Sequence, residues 1–115
     1  MTDNALIVET QDDGPALTIA VIGRLDSNTV GGLEGAVQEL AGNERPAVVF
    51  DLERMTYVSS AGLRVFLVTA KQIQKAGGRA VFCSLADNVH KVFKVSGFDH
   101  ILTLRETKEE ALELF

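Results

Sequence analysis

The sequence predicts an α/β domain: a mixed sheet of four to five strands, opened by an antiparallel hairpin, with about four helices packed on it. Two β-rich runs, residues 5–10 and 16–22, are joined by Asp12-Asp13-Gly14-Pro15, and Asp, Gly and Pro between such runs read as a hairpin turn. From Ala47 onward strand-like and helix-like segments alternate, which requires parallel neighbours connected by crossover helices. At 115 residues, 46% hydrophobic and 23% charged, the chain has the size of one domain spanning 1–115 and is too apolar to be disordered.

After the hairpin, Leu33, Ala36, Val37, Leu40 and Ala41 recur at helical spacing, with Asp26 or Ser27 available to cap the start. Gly31, Gly32 and Gly35 weaken the intrinsic propensity of that helix, so packing must hold much of it. Residues 47–52, a continuous apolar run rich in β-branched side chains, suit a central strand covered on both faces. Beyond the strand-like Tyr57-Val58, the positions Leu63, Phe66, Leu67, Ala70 and Ile73 predict a long amphipathic helix that stops at Gly77-Gly78. A buried strand over 79–83, a short helix over 88–95, a last strand over 101–104 and a terminal helix over 106–114 complete the reading.

The formal charge of -5 and pI near 4.9 argue against nucleic-acid binding, which calls for a basic stripe to neutralise phosphates. Cys83 is the single cysteine, set in the apolar Ala80-Val81-Phe82, so it reads as a buried thiol in a reducing compartment. Met1-Thr2-Asp3-Asn4 has no basic region ahead of an apolar run, and no stretch approaches the roughly 18 apolar residues of a membrane span. A cytoplasmic protein without membrane insertion is expected.

The inventory for catalysis is thin. His90 and His100, the two imidazoles, have no nucleophile or metal-ligand partner at a recognisable spacing and read as surface residues. Gly31-Gly32 and Gly77-Gly78 lack the order of a phosphate-cradling loop and read as helix punctuation. Asp51 ends a buried strand with no second carboxylate or cation beside it in sequence, which suits a structural or partner-facing role. No enzyme activity, metal or cofactor is called for. The competing enzyme or nucleotide-binding reading would have to use Asp26, Asp51 and a helix N-terminus.

The informative segment is Ser59-Ser60-Ala61-Gly62, between strand-like residues and a helix start. A serine there accepts a hydrogen bond from an orphan backbone N–H, a cap that contributes about 1 kcal/mol. One serine suffices for that, and two are present. Ala61 and Gly62 add no bulk, which reads as an access requirement that leaves the hydroxyls open to a partner. A helix N-terminus also tolerates a phosphate, which would add a charge of about -1.5 to -2 to a small neutral patch. A binding switch with two chemical states is the expected behaviour.

Gly23-Arg24-Leu25-Asp26, Val48-Val49-Phe50-Asp51-Leu52, Val58-Ser59-Ser60-Ala61-Gly62-Leu63-Arg64-Val65-Phe66-Leu67, Gly77-Gly78 and Val95-Ser96-Gly97-Phe98 together resemble the successive blocks of STAS domains, nearly end to end. The resemblance is closest to stand-alone bacterial anti-sigma-factor antagonists, with Ser-Ser-Ala-Gly-Leu-Arg the most specific block. It implies a STAS-type sheet and a protein that, unphosphorylated, binds an anti-sigma factor and so frees a sigma factor. That anti-sigma factor is a serine kinase of the histidine-kinase-like ATPase fold, and a PP2C-type phosphatase reverses the phosphorylation. By position the resemblance implies Ser60 as phosphoacceptor, with Ser59 as the alternative. It implies a partner surface of Asp26, Ser59, Ser60, Ala61, Gly62 and Arg64. Many family members carry Asp where this chain has Ser59. A STAS subunit of a signalling or lipid-transport assembly, with no phospho-switch, is the alternative reading.

Overall fold

A computed structural model describes residues 6–39 and 46–115. The expected Ala5, Leu40 and Ala41 positions lie outside these. Strands β1 (Leu6–Asp12) and β2 (Leu17–Leu25) form the antiparallel hairpin, in register from Leu6 opposite Gly23 to Asp12 opposite Leu17. Gly14, at φ 87°, turns the chain while its N–H donates to Asp12 Oδ1 at 2.9 Å. Helix α1 (Val30–Gln38) precedes β3 (Ala47–Asp51), which lies parallel to the first half of β2.

Among the described residues the sheet has six strands, because the strand-like stretch around Tyr57 pairs as well. β4 (Met55–Val58) lies parallel to the second half of β2, so β3 and β4 share one edge of a single long strand. The step between them is a turn in which Met55 N–H donates to the Leu52 carbonyl and Gly23 N–H to the Arg54 carbonyl. A register shift between Gly23 and Arg24, with Gly23 at φ 97°, bends β2 where its partner changes.

Helix α2 (Ser60–Lys75), β5 (Arg79–Cys83), α3 (Asp87–Val95), β6 (Thr103–Arg105) and α4 (Lys108–Leu112) follow. β5 is parallel to β3 and β6 to β5, giving the order β1-β2-β3-β5-β6 with β4 beside β2. The last strand starts two residues later than expected. Gly97, at φ 78°, reverses the chain into a 3-10 turn at Phe98–His100, and Ile101 is left exposed before pairing begins. The terminal helix is also shorter than expected, since Glu106 and Thr107 form its cap. Thr107 Oγ1 accepts from Glu110 N–H, and the Glu110 carboxylate accepts from Glu106 N–H.

One face of the sheet carries the main core. Phe50 stacks on Phe82 with centroids 4.8 Å apart, and Phe66 of α2 meets Phe82 edge-on at 5.1 Å. Phe93 of α3 and Leu33 of α1 close the same layer, each fully buried. A buried Phe of this kind contributes about 1.5–3 kcal/mol, so this layer fixes α1, α2 and α3 against the sheet. The other face is thinner: Val49, Val81 and Cys83 lie under Ala111 of α4. Burial pushes the Cys83 thiol up to about 11, as expected of a structural cysteine.

Candidate functional site

The N-terminus of α2 is placed by the pairing of β4 with β2. Arg24 lies opposite Tyr57 and Leu25 opposite Val58, and the Leu25 carbonyl accepts the Ser59 N–H at 2.9 Å. Asp26, Ser59 and Ser60 therefore leave the sheet side by side at one edge.

The two serines differ there. Ser59 is the N-cap, extended at φ -94° and ψ 173°, and its Oγ accepts the Gly62 N–H at 3.2 Å. Ser60 is the first helical residue. It is exposed, and among the described residues its hydroxyl has no hydrogen-bond partner. Ala61 is half-buried on the same first turn, and Arg64 is exposed one turn after Ser60.

Gly62 corrects the sequence reading. It is buried, and a Cβ at that position would lie 2.8 Å from Leu25 Cγ and 3.0 Å from Val58 Cγ2. Its lack of bulk serves the close approach of α2 to β2 and β4. Access for a partner is not the reason for it.

Asp26 is corrected too, as neither it nor Ser27 caps α1. That helix begins at Val30 with Thr29 at the N-cap and no side-chain cap bond. Asp26 instead closes the turn before the helix: Oδ1 accepts from Asn28 N–H at 2.9 Å, and Oδ2 receives Arg24 Nε at 3.0 Å. Thr29 Oγ1 completes the turn by accepting the Asp26 N–H and donating to the Arg24 carbonyl. Desolvation pushes the Asp26 carboxyl up, but the Asn28 N–H, Arg24 and Thr29 together outweigh it and hold the group below its ordinary value. It stays a carboxylate at neutral pH.

Sequence reasoning passed over Arg24 and Tyr57 as site residues. The Arg24 guanidinium lies 4.0 Å from the Tyr57 ring centroid while its Nε is tied to Asp26. The available signal was the position of Arg24 two residues before Asp26, but its contact with Tyr57 depends on β4 being a strand.

The remaining candidates fall elsewhere. His90 is exposed on α3, and His100 ends the 3-10 turn, exposed, 3.8 Å from Asp99. Asp51 ends β3 and accepts the Glu53 N–H in the turn towards β4. Among the described residues no group of three or more His, Cys, Asp or Glu side chains is placed to hold a metal, and no helix is long and apolar enough to cross a membrane.

The family model described as the STAS domain matches residues 6–111. The chain belongs to the STAS domain family. This STAS domain is 36% identical over 107 residues to BtrV of Bordetella bronchiseptica, named as a candidate anti-sigma factor antagonist, covering 92% of each chain. Its fold matches a crystal structure of an anti-sigma factor antagonist from Mycobacterium paratuberculosis with a TM-score of 0.88 at 22% identity, over 98% of this chain and 96% of that one. SpoIIAA of Bacillus, solved in its unphosphorylated form, matches at a TM-score of 0.76 and 20% identity, over 93% of this chain and 94% of that one. The phosphorylated form of SpoIIAA matches at 0.68 and 19% identity, over 93% and 97%.

Proposed function

We propose that this STAS domain is an anti-sigma-factor antagonist whose partner binding is switched by phosphorylation of Ser60. Unphosphorylated, it sequesters an anti-sigma factor that is also a serine kinase of the histidine-kinase-like ATPase fold, in a cytoplasmic setting. Phosphorylation ends the complex, and a PP2C-type phosphatase restores it. The function is binding, and the chemistry belongs to the partners.

The observation that carries this reading is the division of labour between the serines. Ser59 Oγ is occupied by the Gly62 N–H, whereas Ser60 is exposed and its hydroxyl is uncommitted among the described residues. Phosphorylation of Ser60 would cost no cap bond, whereas phosphorylation of Ser59 would compete with the bond its Oγ accepts from Gly62 N–H. First-turn N–H groups and the helix dipole accommodate the dianion, so the fold has no reason to change. A partner packed against this edge would instead have to desolvate about -1.5 to -2 of added charge. The name of BtrV and the two solved states of SpoIIAA agree with a switched antagonist.

The test is titration of wild type and Ser60→Asp with an anti-sigma serine kinase of the histidine-kinase-like ATPase fold from the same genome. Ser60→Asp is expected to lose binding while its melting temperature stays within a few degrees of wild type. Unchanged binding, or an unfolded variant, would overturn the reading.

A further inference from the structure

The charge that Asp26 brings to the switch edge is already spent inside the molecule. Both carboxylate oxygens are engaged, by Asn28 N–H and by Arg24 Nε, and the side chain is 15% exposed against 43% for Arg24. Arg24 uses only Nε in that pair. Among the described residues its two terminal nitrogens have no hydrogen-bond partner. The guanidinium plane is fixed on its other side by the Tyr57 ring, itself 38% exposed. An arginine held at Nε and stacked on an aromatic ring loses little further freedom when its terminal nitrogens take a ligand, and their fork matches a carboxylate. It lies in register with Tyr57, two residues before Ser59, and the carbonyl of the next residue, Leu25, accepts the Ser59 N–H, so the pair lies beside the β4–α2 junction. Arg24 and Asp26 cancel in formal charge, so in a chain of net charge -5 the pair is locally neutral and presents N–H donors outward.

We infer that Arg24 is a specificity-determining contact of the switch surface, reading a carboxylate on the anti-sigma partner, with Asp26 and Tyr57 as the positioning residues that hold it. This rests on the antagonist reading above. Asp26 thus acts on the partner through Arg24. The partner is selected by an acidic group facing this edge, and one that presents a cation there is rejected by like-charge contact.

The experiment is calorimetric titration of the unphosphorylated full chain with the anti-sigma serine kinase used above, for wild type, Arg24→Lys, Arg24→Gln, Arg24→Glu, Asp26→Asn and the Asp26→Asn/Arg24→Gln pair. Arg24→Gln is expected to weaken binding by about tenfold or more, and Arg24→Glu by about a further tenfold, with Arg24→Lys between wild type and Arg24→Gln. Wild-type affinity should fall with added salt more steeply than that of Arg24→Gln. Asp26→Asn should weaken wild type but add nothing to Arg24→Gln, which a purely structural role for Asp26 would not produce. Arg24→Gln binding within about twofold of wild type, or Arg24→Glu binding as well as Arg24→Gln, overturns the inference while leaving the antagonist reading intact. Failure of wild type to bind removes both.

Discussion

At its C-terminus α2 is closed by main chain alone, whereas at its N-terminus a side chain does the closing and a second hydroxyl is left over. After Lys75, Gly77 at φ 84° lets its N–H reach the Gln74 carbonyl and the Gly78 N–H reach the Ile73 carbonyl at 2.9 Å, a Schellman closure. Gly78 then sits against the main chain of Pro46, which accepts the Arg79 N–H. No side-chain hydroxyl takes part in that closure. At the other end Ser59 satisfies Gly62 N–H, and Ser60 has no structural duty that the contacts reveal. Both ends meet the same need for satisfied backbone groups, and the N-terminal end does so with a hydroxyl left over.

Substitutions at the two ends should separate these roles. The largest effect is expected for Gly78→Ala, because a Cβ there would lie 1.9 Å from the Pro46 carbonyl oxygen, a main-chain atom that cannot swing aside. A loss of about 3 kcal/mol or more is expected by denaturant unfolding. Gly62→Ala comes next, at about 2 kcal/mol, because the atoms it meets belong to the Leu25 and Val58 side chains, which can yield in part. If Gly62→Ala were neutral in stability, the inward reading of that glycine would be wrong.

Ser59→Ala should cost about 1 kcal/mol in the same measurement, the usual value of a lost N-cap. A smaller effect lies away from α2, where Lys108 of α4 meets Asp13 of the hairpin turn at 3.0 Å. The Thr18 hydroxyl and then Lys108 hold the Asp13 carboxyl below its ordinary value. A depressed folded value means that this stabilisation is present above the unfolded value of about 3.9 and is lost as pH falls through the folded one. Asp13→Asn should therefore melt below wild type at neutral pH, and the gap should close on the acid side of that value. The smallest effect belongs to Ser60→Ala, within about 0.5 kcal/mol of wild type. A larger loss would give Ser60 a structural role and blur the contrast between the two serines.

Much of the fold was legible in the sequence because its signals are local. Asp12-Asp13-Gly14-Pro15 marks a hairpin wherever it separates two β-rich runs, and the spacing of Leu63, Phe66, Ala70 and Ile73 marks one face of a helix. Gly77-Gly78 announced the helix stop correctly. β4 was half visible, since Met55 and Val58 are buried with Thr56 and Tyr57 exposed between them, too short a pattern to name a strand. That gap concealed the site's geometry. Without β4 beside β2 there is no reason for Arg24 to meet Tyr57, for Leu25 to abut Gly62, or for Asp26 to leave the sheet beside Ser59. The serine pair could be seen in sequence; which serine caps depends on one hydrogen bond of 3.2 Å and an extended ψ at Ser59. Asp26 was singled out by its block, but its engagement by Arg24, Asn28 and Thr29 is a property of a folded turn.

The most direct test of the proposed switch is phosphorylation in vitro by an anti-sigma serine kinase from the same genome, with the site mapped by mass spectrometry on wild type, Ser59→Ala and Ser60→Ala. Phosphate is expected on Ser60 in wild type and in Ser59→Ala, and none in Ser60→Ala. Phosphate on Ser59, or no labelling of wild type at all, would contradict it.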